Sequence, residues 1–216
     1  MTETKNGYIS LPSPCLSLHY IQYTPVTPPP AEGYPLVIFL HGAGERGDDL
    51  NLVTIHGWPR YAREGEEYPF ILVAPQLPAG KHWCGQVNTL DGFLDALLRE
   101  LPVDPKRVYI TGLSDGGTGT WLWGENSPSR FAAIIPVCGA GIRWMTYELV
   151  GKPVWIFHGE ADGAILCEES VRMADRLRAI GGDARLTLYP EVGHDCWTRA
   201  YTDPALIEWM LAQRLS

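Results

Sequence analysis

The sequence lacks the features that mark membrane-spanning and nucleic-acid-binding proteins. Its uninterrupted apolar stretches, such as residues 36–40 and 131–135, are far shorter than the ~20 residues that a transmembrane helix needs. Basic residues are also scarce, since 17 Lys and Arg stand against 25 Asp and Glu and leave a net charge of −8. That charge opposes contact with a phosphate backbone or an anionic lipid surface. We therefore expect no transmembrane helix, no nucleic-acid partner and no membrane partner.

Paired cysteine motifs are missing as well. The five cysteines are Cys15, Cys84, Cys138, Cys167 and Cys196. Because no two of them form a Cys-x-x-Cys pair, the usual zinc and thioredoxin-like spacings are excluded. We interpret each cysteine as a small buried apolar residue. One disulfide stays open, and at least one cysteine must be unpaired within the chain.

A secretory signal pattern is absent from the first ten residues, which contain no basic segment followed by an apolar core. This slightly favours a cytoplasmic location, although a cleaved signal stays an alternative. The sequence gives no indication of the oligomeric state.

The length of 216 residues and the 45% apolar content fit one large domain better than two small ones. We expect a single domain over residues 1–216. Residues 1–35 should form its N-terminal strand, at 16–23, and a connector rich in proline. Five prolines between residues 25 and 35 make that connector stiff and unsuited to a central strand.

From residue 36 onward, short apolar runs alternate with helical patterns. The runs predict strands that are buried on both faces, and they cover residues 36–40, 70–74, 108–111, 131–137, 154–157 and 186–189. Apolar residues at helical spacing predict helices over 90–101 and 171–180, and a last helix that Asp203 caps and Pro204 begins. The stretch 118–124 is compatible with a further helix. Such alternation is typical of an α/β fold with a mostly parallel sheet covered by helices on both faces. Ligands of such sheets bind beyond the carboxyl ends of the strands.

A Gly-x-Ser-x-Gly motif, Gly112 to Gly116, lies between a predicted strand and a predicted helix. In this context the turn strains the serine backbone and exposes the hydroxyl at the helix N-terminus. Ser114 is therefore the candidate nucleophile.

A serine nucleophile needs a histidine base and an acid that orients it, and in this fold they follow in the order Ser, acid, His. Only His158 and His194 follow Ser114. His158 ends a predicted strand and should be packed, whereas His194 lies in a loop after the last strand. Among the acids we favour Asp162 over Glu160, which lies closer to the strand. Asp195, beside His194, is interpreted as structural.

The loop from His41 to Gly47 follows the first buried strand and can donate backbone N–H groups to a developing oxyanion. We assign this role to Ala43 and to Asp115, the residue after the nucleophile, and expect His41 to brace the loop. The glycines of this loop also match a dinucleotide-binding fingerprint, but no helical pattern follows Gly47. The oxyanion interpretation is therefore the better one.

These segments together resemble compact α/β-hydrolases of the carboxylesterase and "predicted peptidase" type, close to dienelactone-hydrolase-like and feruloyl or acetyl esterase relatives. The resemblance covers residues 36–214 and rests on the segments 41–47, 74–76 with Trp83, 103–109, 112–117, 158–162 and 193–197. It implies Ser114, Asp162 and His194 as nucleophile, acid and base. Asp115 departs from the family pattern, in which methionine or glutamine is usual. A carboxylate there is expected to raise the pKa of His194 if it lies nearby.

We therefore expect a serine carboxylesterase that hydrolyses short-chain esters through an acyl-enzyme on Ser114, without a metal or organic cofactor. Residues 139–151 are too few for a large cap, so the cleft should be open to small esters or an acylated polymer. Trp83 and Trp197 are candidates to line it. The alternatives are a carbohydrate (acetyl or feruloyl) esterase, a serine peptidase, or a non-catalytic binding protein on the same fold.

Overall fold

The computed structural model describes residues 2–216, with side chains from Lys5 onward. Its strands are β1 (Thr2–Ile9), β2 (Leu18–Pro25), β3 (Tyr34–Leu40), β4 (Ile71–Gln76), β5 (Val103–Leu113), β6 (Ala133–Val137), β7 (Val154–Gly159) and β8 (Ala184–Tyr189). Its α-helices are α1 (Gly57–Arg63), α2 (Val87–Glu100), α3 (Asp115–Asn126), α4 (Cys167–Ala179), α5 (Trp197–Thr202) and α6 (Pro204–Leu211). Short 3₁₀ segments cover Ala43–Glu45, Leu50–Thr54, Pro128–Arg130 and Arg143–Leu149.

The strands form one sheet in the order β1-β2-β4-β3-β5-β6-β7-β8. The six strands from β4 to β8 in this order are parallel, and only β1 and β2 run antiparallel to their neighbours. This confirms the predicted α/β architecture with a mostly parallel sheet. The carboxyl ends of β3, β5, β6 and β7 consequently meet at one edge of the sheet.

Alternation along the central strands divides the core into two layers. In β3, Leu36, Ile38 and Leu40 face the layer beneath α2, α3 and α4. Val37 and Phe39 face the layer beneath α1, α5 and α6. Successive side chains of a strand point to opposite faces, so a continuous apolar run supplies both layers at once.

Three expectations about the elements need correction. Strand β8 is only half-buried because it lies at the edge of the sheet, where one side has no neighbouring strand. Pro35 belongs to β3, at a register shift between Tyr34 and Leu36, so the strand begins inside the proline-rich region. Strand β1 was not anticipated, because its polar residues carry little strand signal and its order comes from pairing with β2.

The start of α6 and the connection from β6 to β7 agree with the expectations from the sequence. The Asp203 carboxylate accepts the N–H of Ala205 at 2.9 Å and caps α6, with Pro204 in the first turn as predicted. The connection from β6 to β7 contains one 3₁₀ segment and no large cap, also as predicted. No helix among the described residues is both long enough and apolar enough to cross a bilayer.

Candidate active site

Ser114 lies at a sharp turn between β5 and α3, with φ 56° and ψ −118°. Such a backbone is strained for a residue with a side chain. The turn depends on close backbone approach, because a Cβ on Gly116 would lie 1.9 Å from the carbonyl oxygen of Leu40. A Cβ on Gly112 would likewise lie 2.5 Å from the carbonyl oxygen of Gly116. These contacts explain why glycine is needed on both sides of the serine.

The predicted triad residues lie within hydrogen-bond distance of one another. The Nε2 atom of His194 is 2.8 Å from the Ser114 hydroxyl oxygen, and its Nδ1 atom is 2.7 Å from Oδ2 of Asp162. They follow β5, β7 and β8, three parallel strands that end at the same edge of the sheet. With Nδ1 donating to the carboxylate, Nε2 is free to accept the hydroxyl proton of Ser114.

The Asp162 carboxylate is held by backbone hydrogen bonds as well as by its contact with His194. Its Oδ1 atom accepts the N–H groups of Ala164 and Ile165, at 2.8 and 3.0 Å. Burial alone would raise the pKa of Asp162, but the hydrogen bonds from His194, Ala164 and Ile165 outweigh burial and hold that pKa below its usual value. The group is therefore a carboxylate at neutral pH, as an orienting acid must be. Glu160, the alternative acid, is exposed.

His158 takes part in this network, although the sequence suggested only that it would be packed. It is fully buried. Its Nδ1 atom lies 2.7 Å from the Ser170 hydroxyl, and its Nε2 atom lies 3.1 Å from Oδ2 of Asp162 and 2.9 Å from the carbonyl oxygen of Ile165. A ring that accepts from Ser170 at Nδ1 and donates through Nε2 satisfies all these contacts. The available signal was that His158 lies at the end of β7, next to the loop that contains Asp162.

The loop from His41 to Gly47, the predicted oxyanion loop, follows β3, and His41 braces it as expected. His41 is buried, and its Nδ1 atom donates to the carbonyl oxygen of Gly42 while Nε2 accepts the N–H of Leu77 at 3.0 Å. Burial lowers the pKa of His41 to about 4, so the ring stays neutral. Ala43 is exposed at the start of a 3₁₀ turn and Asp115 begins α3. First-turn N–H groups have no acceptor within their own helix, which is consistent with the predicted oxyanion role of both residues.

The Asp115 side chain bonds to the loop that follows β4. Its Oδ1 atom lies 3.0 Å from Nδ1 of His82, and its Oδ2 atom accepts the N–H of Trp83 at 3.4 Å. Nε2 of the same His82 ring lies 3.3 Å from the Arg46 guanidinium. Because this carboxylate has His82 and Trp83 as hydrogen-bond partners, we expect its effect on His194 to be weaker than the sequence suggested. No sequence signal linked these residues, which lie 33 positions apart.

The two tryptophan candidates differ in position. Trp83 is fully buried and donates its indole N–H to the carbonyl oxygen of His41 at 2.9 Å, so the expectation that it lines the cleft is wrong. Its ring supports the oxyanion loop from below. Trp197 is partly exposed and meets the His194 ring edge-to-face at 5.4 Å. The Asp195 carboxylate accepts the N–H and the hydroxyl of Thr198 in the first turn of α5, in agreement with a structural role.

The cysteines are all free thiols, and the interpretation of every one as buried was too broad. Cys138 and Cys196 are buried, Cys15 and Cys167 are half-buried, and Cys84 is exposed.

Comparisons with known proteins indicate the family and the class of this chain. Residues 79–203 match the model of the dienelactone hydrolase family. The acyl-protein thioesterase 1 of Gibberella zeae is 27% identical over 212 residues, which cover 78% of this chain and 87% of that protein. The crystal structure of a thermostable esterase superposes with a TM-score of 0.87 and 32% identity over 98% of this chain. This chain spans 63% of that esterase. A ferulic acid esterase, 15% identical with a TM-score of 0.73 over 97% of this chain and 99% of its own, shares the fold.

The chain belongs to the dienelactone hydrolase family. The fold and these relatives define a serine hydrolase of the ester-hydrolysing class, built on the α/β-hydrolase fold. The resemblance noted from the sequence is thereby confirmed.

Proposed function

We propose that the protein is a serine carboxylesterase that hydrolyses short-chain esters. The observation that carries the proposal is the hydrogen-bonded series from Ser114 through His194 to Asp162, at 2.8 and 2.7 Å. A hydroxyl within reach of a neutral imidazole, itself oriented by a buried carboxylate, is the arrangement that activates a serine for attack on an acyl carbon.

In the first half-reaction, Nε2 of His194 takes the proton of Ser114 as the serine oxygen bonds to the substrate carbonyl carbon. The resulting oxyanion accepts the N–H groups of Ala43 and Asp115, each worth about 3 to 4 kcal/mol in the transition state. The imidazolium then gives its proton to the leaving alcohol, and the acyl group stays on Ser114. In the second half-reaction His194 activates water, which releases the acid and restores the serine.

The triad assignment is tested by substitution. We expect Ser114→Ala and His194→Ala to lower kcat by about four orders of magnitude or more. Asp162→Asn should lower kcat by the same factor or a smaller one, because the acid orients the base without transferring the proton. Glu160→Gln is the matched control, as an exposed acid two residues from Asp162. A fluorophosphonate should label one peptide, the one that contains Ser114. Labelling elsewhere, or a large loss in the Glu160 variant with none in Asp162→Asn, would refute the assignment.

The short connection between β6 and β7 supports a preference for short acyl groups. Without a cap there is no tunnel in which each added methylene would gain ~0.8 kcal/mol from burial. A series of nitrophenyl esters should therefore give the highest kcat/KM at acetate to butyrate. Faster hydrolysis of long-chain esters would contradict this expectation.

A second candidate is the removal of acetyl or feruloyl groups from a carbohydrate. The partly exposed Trp197 ring beside His194 supports it, because an aromatic face packs well against a sugar ring. Acetylxylan esterase A of Emericella nidulans is also 29% identical over 115 residues, 47% of this chain. Assays of a nitrophenyl ester, a feruloyl ester, an acetylated xylan and a peptide amide on one preparation would separate these activities. Turnover of none of them would favour a non-catalytic binding protein.

A further inference from the structure

Cys138 is a buried thiol that the proposed mechanism does not use. It follows β6 with φ 40° and has no exposed surface. Its backbone N–H donates to the carbonyl oxygen of Phe157 at 2.8 Å, which fixes the residue between the ends of β6 and β7. The backbone of Ser114 is anchored to the same strand end, since its N–H donates to Val137 at 3.0 Å. The thiol therefore lies under the proposed triad.

The sulfur of Cys138, a ring nitrogen of His194 and a carboxylate oxygen of Asp162 lie within 4.8 Å of one another. In the part of the chain that the structure describes, this is the only group of three such side chains found with potential ligand atoms so close. Sulfur, imidazole nitrogen and carboxylate oxygen form a donor set that suits a borderline-soft ion of the zinc type.

The geometry of such an ion requires only small movements. Zinc binds thiolate sulfur at about 2.3 Å and nitrogen or oxygen at about 2.0 to 2.2 Å, so ligand atoms on one tetrahedral ion are about 3.4 to 3.6 Å apart. The sulfur would have to approach the other two atoms by about 1 Å. The contact of 2.7 Å between His194 and Asp162 would lengthen as the ion replaces the proton between them.

We propose that Cys138, Asp162 and His194 form an inhibitory binding site for zinc-type divalent cations. The proposed effect on activity rests on the proposed function, because two of the ligands are the base and acid of the triad. On binding, the thiol releases its proton to solvent and a metal–sulfur bond forms, while nitrogen and oxygen lone pairs complete the set. No group is oxidised or reduced.

Binding through either ring nitrogen would stop catalysis. If Nε2 holds the ion, it has no lone pair left for the Ser114 proton. If Nδ1 holds the ion, the neutral ring carries its proton on Nε2 and again cannot accept one. Entry is open on the side of His194, whose side chain is 27% exposed while that of Asp162 is fully buried.

A competing location must be separated from this one. The exposed His82 ring and the Asp115 carboxylate form a pair 3.0 Å apart, which offers two ligands near the oxyanion donors. The pair lacks a thiol, so a soft ion has less reason to prefer it. His82→Gln removes this pair, and Cys167→Ser removes a half-buried thiol elsewhere in the chain. Both serve as controls.

The test measures inhibition of nitrophenyl butyrate hydrolysis by Zn²⁺ and Cd²⁺ in a non-chelating buffer, with each variant compared with its own metal-free rate. We expect inhibition of the wild-type protein, reversal by EDTA, and none with Mg²⁺ at equal concentration. In Cys138→Ser the inhibition constant should rise about tenfold or more, whereas His82→Gln and Cys167→Ser should match the wild type. Equal sensitivity of Cys138→Ser and the wild type would overturn the proposal.

A second measurement does not depend on activity. Co²⁺ added to Ser114→Ala should give a thiolate-to-cobalt charge-transfer absorption that disappears when Cys138→Ser is combined with it. If the absorption persists without Cys138, the site is wrong. If the absorption depends on Cys138 as expected while Ser114→Ala still hydrolyses esters, the metal site is supported and the assignment of Ser114 as nucleophile is wrong.

Discussion

Glu125 is a buried carboxyl whose ionisation should make the stability of the protein depend on pH. It lies in the last turn of α3 with 1% of its surface exposed, and its two oxygens lie 3.1 and 3.3 Å from the N–H of Ile142. Burial raises the pKa of Glu125 from 4.5 to about 8, and the hydrogen bond from Ile142 only partly opposes this shift. The folded protein therefore keeps this carboxyl protonated at neutral pH.

The sign and size of the effect follow from proton linkage. In the unfolded chain the carboxyl loses its proton near pH 4.5, whereas in the folded protein it does so near pH 8. Between these values the folded protein binds more protons, so the free energy of unfolding falls as pH rises. The fall is about 1.4 kcal/mol for each pH unit, or about 3 kcal/mol between about pH 5 and about pH 7.

The substitution Glu125→Gln removes the titration and keeps an oxygen that can accept the Ile142 N–H. Urea unfolding at a series of pH values should show the free energy of the wild type falling relative to the variant at about 1.4 kcal/mol per pH unit. Glu32→Gln, at an exposed position in the connector after β2, makes the same side-chain substitution and should leave the pH dependence unaltered. A difference between wild type and Glu125→Gln that stays constant from about pH 5 to about pH 8 would refute the reasoning.

Two further predictions concern groups around the triad. Because the Asp115 carboxylate faces His82, Asp115→Asn should keep kcat within about tenfold and leave the acid limb of the kcat/KM profile in place. A shift of that limb to lower pH, measured with a nitrophenyl ester, would show that the carboxylate acts on His194. Because the buried His158 bonds both Asp162 and Ser170, His158→Phe should lower the free energy of unfolding by about 2 to 4 kcal/mol and also lower kcat. Unchanged urea unfolding would contradict this structural role.

The site residues that could be predicted from the sequence are those next to recognisable turns and strands. The turn at Ser114 needs glycine on either side at fixed offsets, and the strand before it has its own apolar pattern. His194 and Asp162 could be located because each follows a recognisable strand, and parallel strands present their carboxyl ends at one edge. Position along the chain thus predicted position in space for these residues.

The parts that could not be predicted depend on contacts between distant segments. The pairing of His82 with Asp115 joins a loop after β4 to the start of α3, and no periodicity records it. Trp83 is buried because the oxyanion loop packs over it, whereas Trp197 is partly exposed. Both residues are tryptophans, so residue type alone could not distinguish the core tryptophan from the one at the cleft.

The strained nucleophile and the oxyanion loop depend on the same backbone contact. A backbone like that of Ser114 costs about 1 to 3 kcal/mol and persists only where its surroundings determine it. Here Val137 of β6 accepts the Ser114 N–H at 3.0 Å, and Gly116 presses against the carbonyl oxygen of Leu40 at the end of β3. That end of β3 leads directly into the loop that carries Ala43. A side chain at Gly116 would therefore displace both Ser114 and the loop that carries Ala43, because the two proposed catalytic elements share one packing contact.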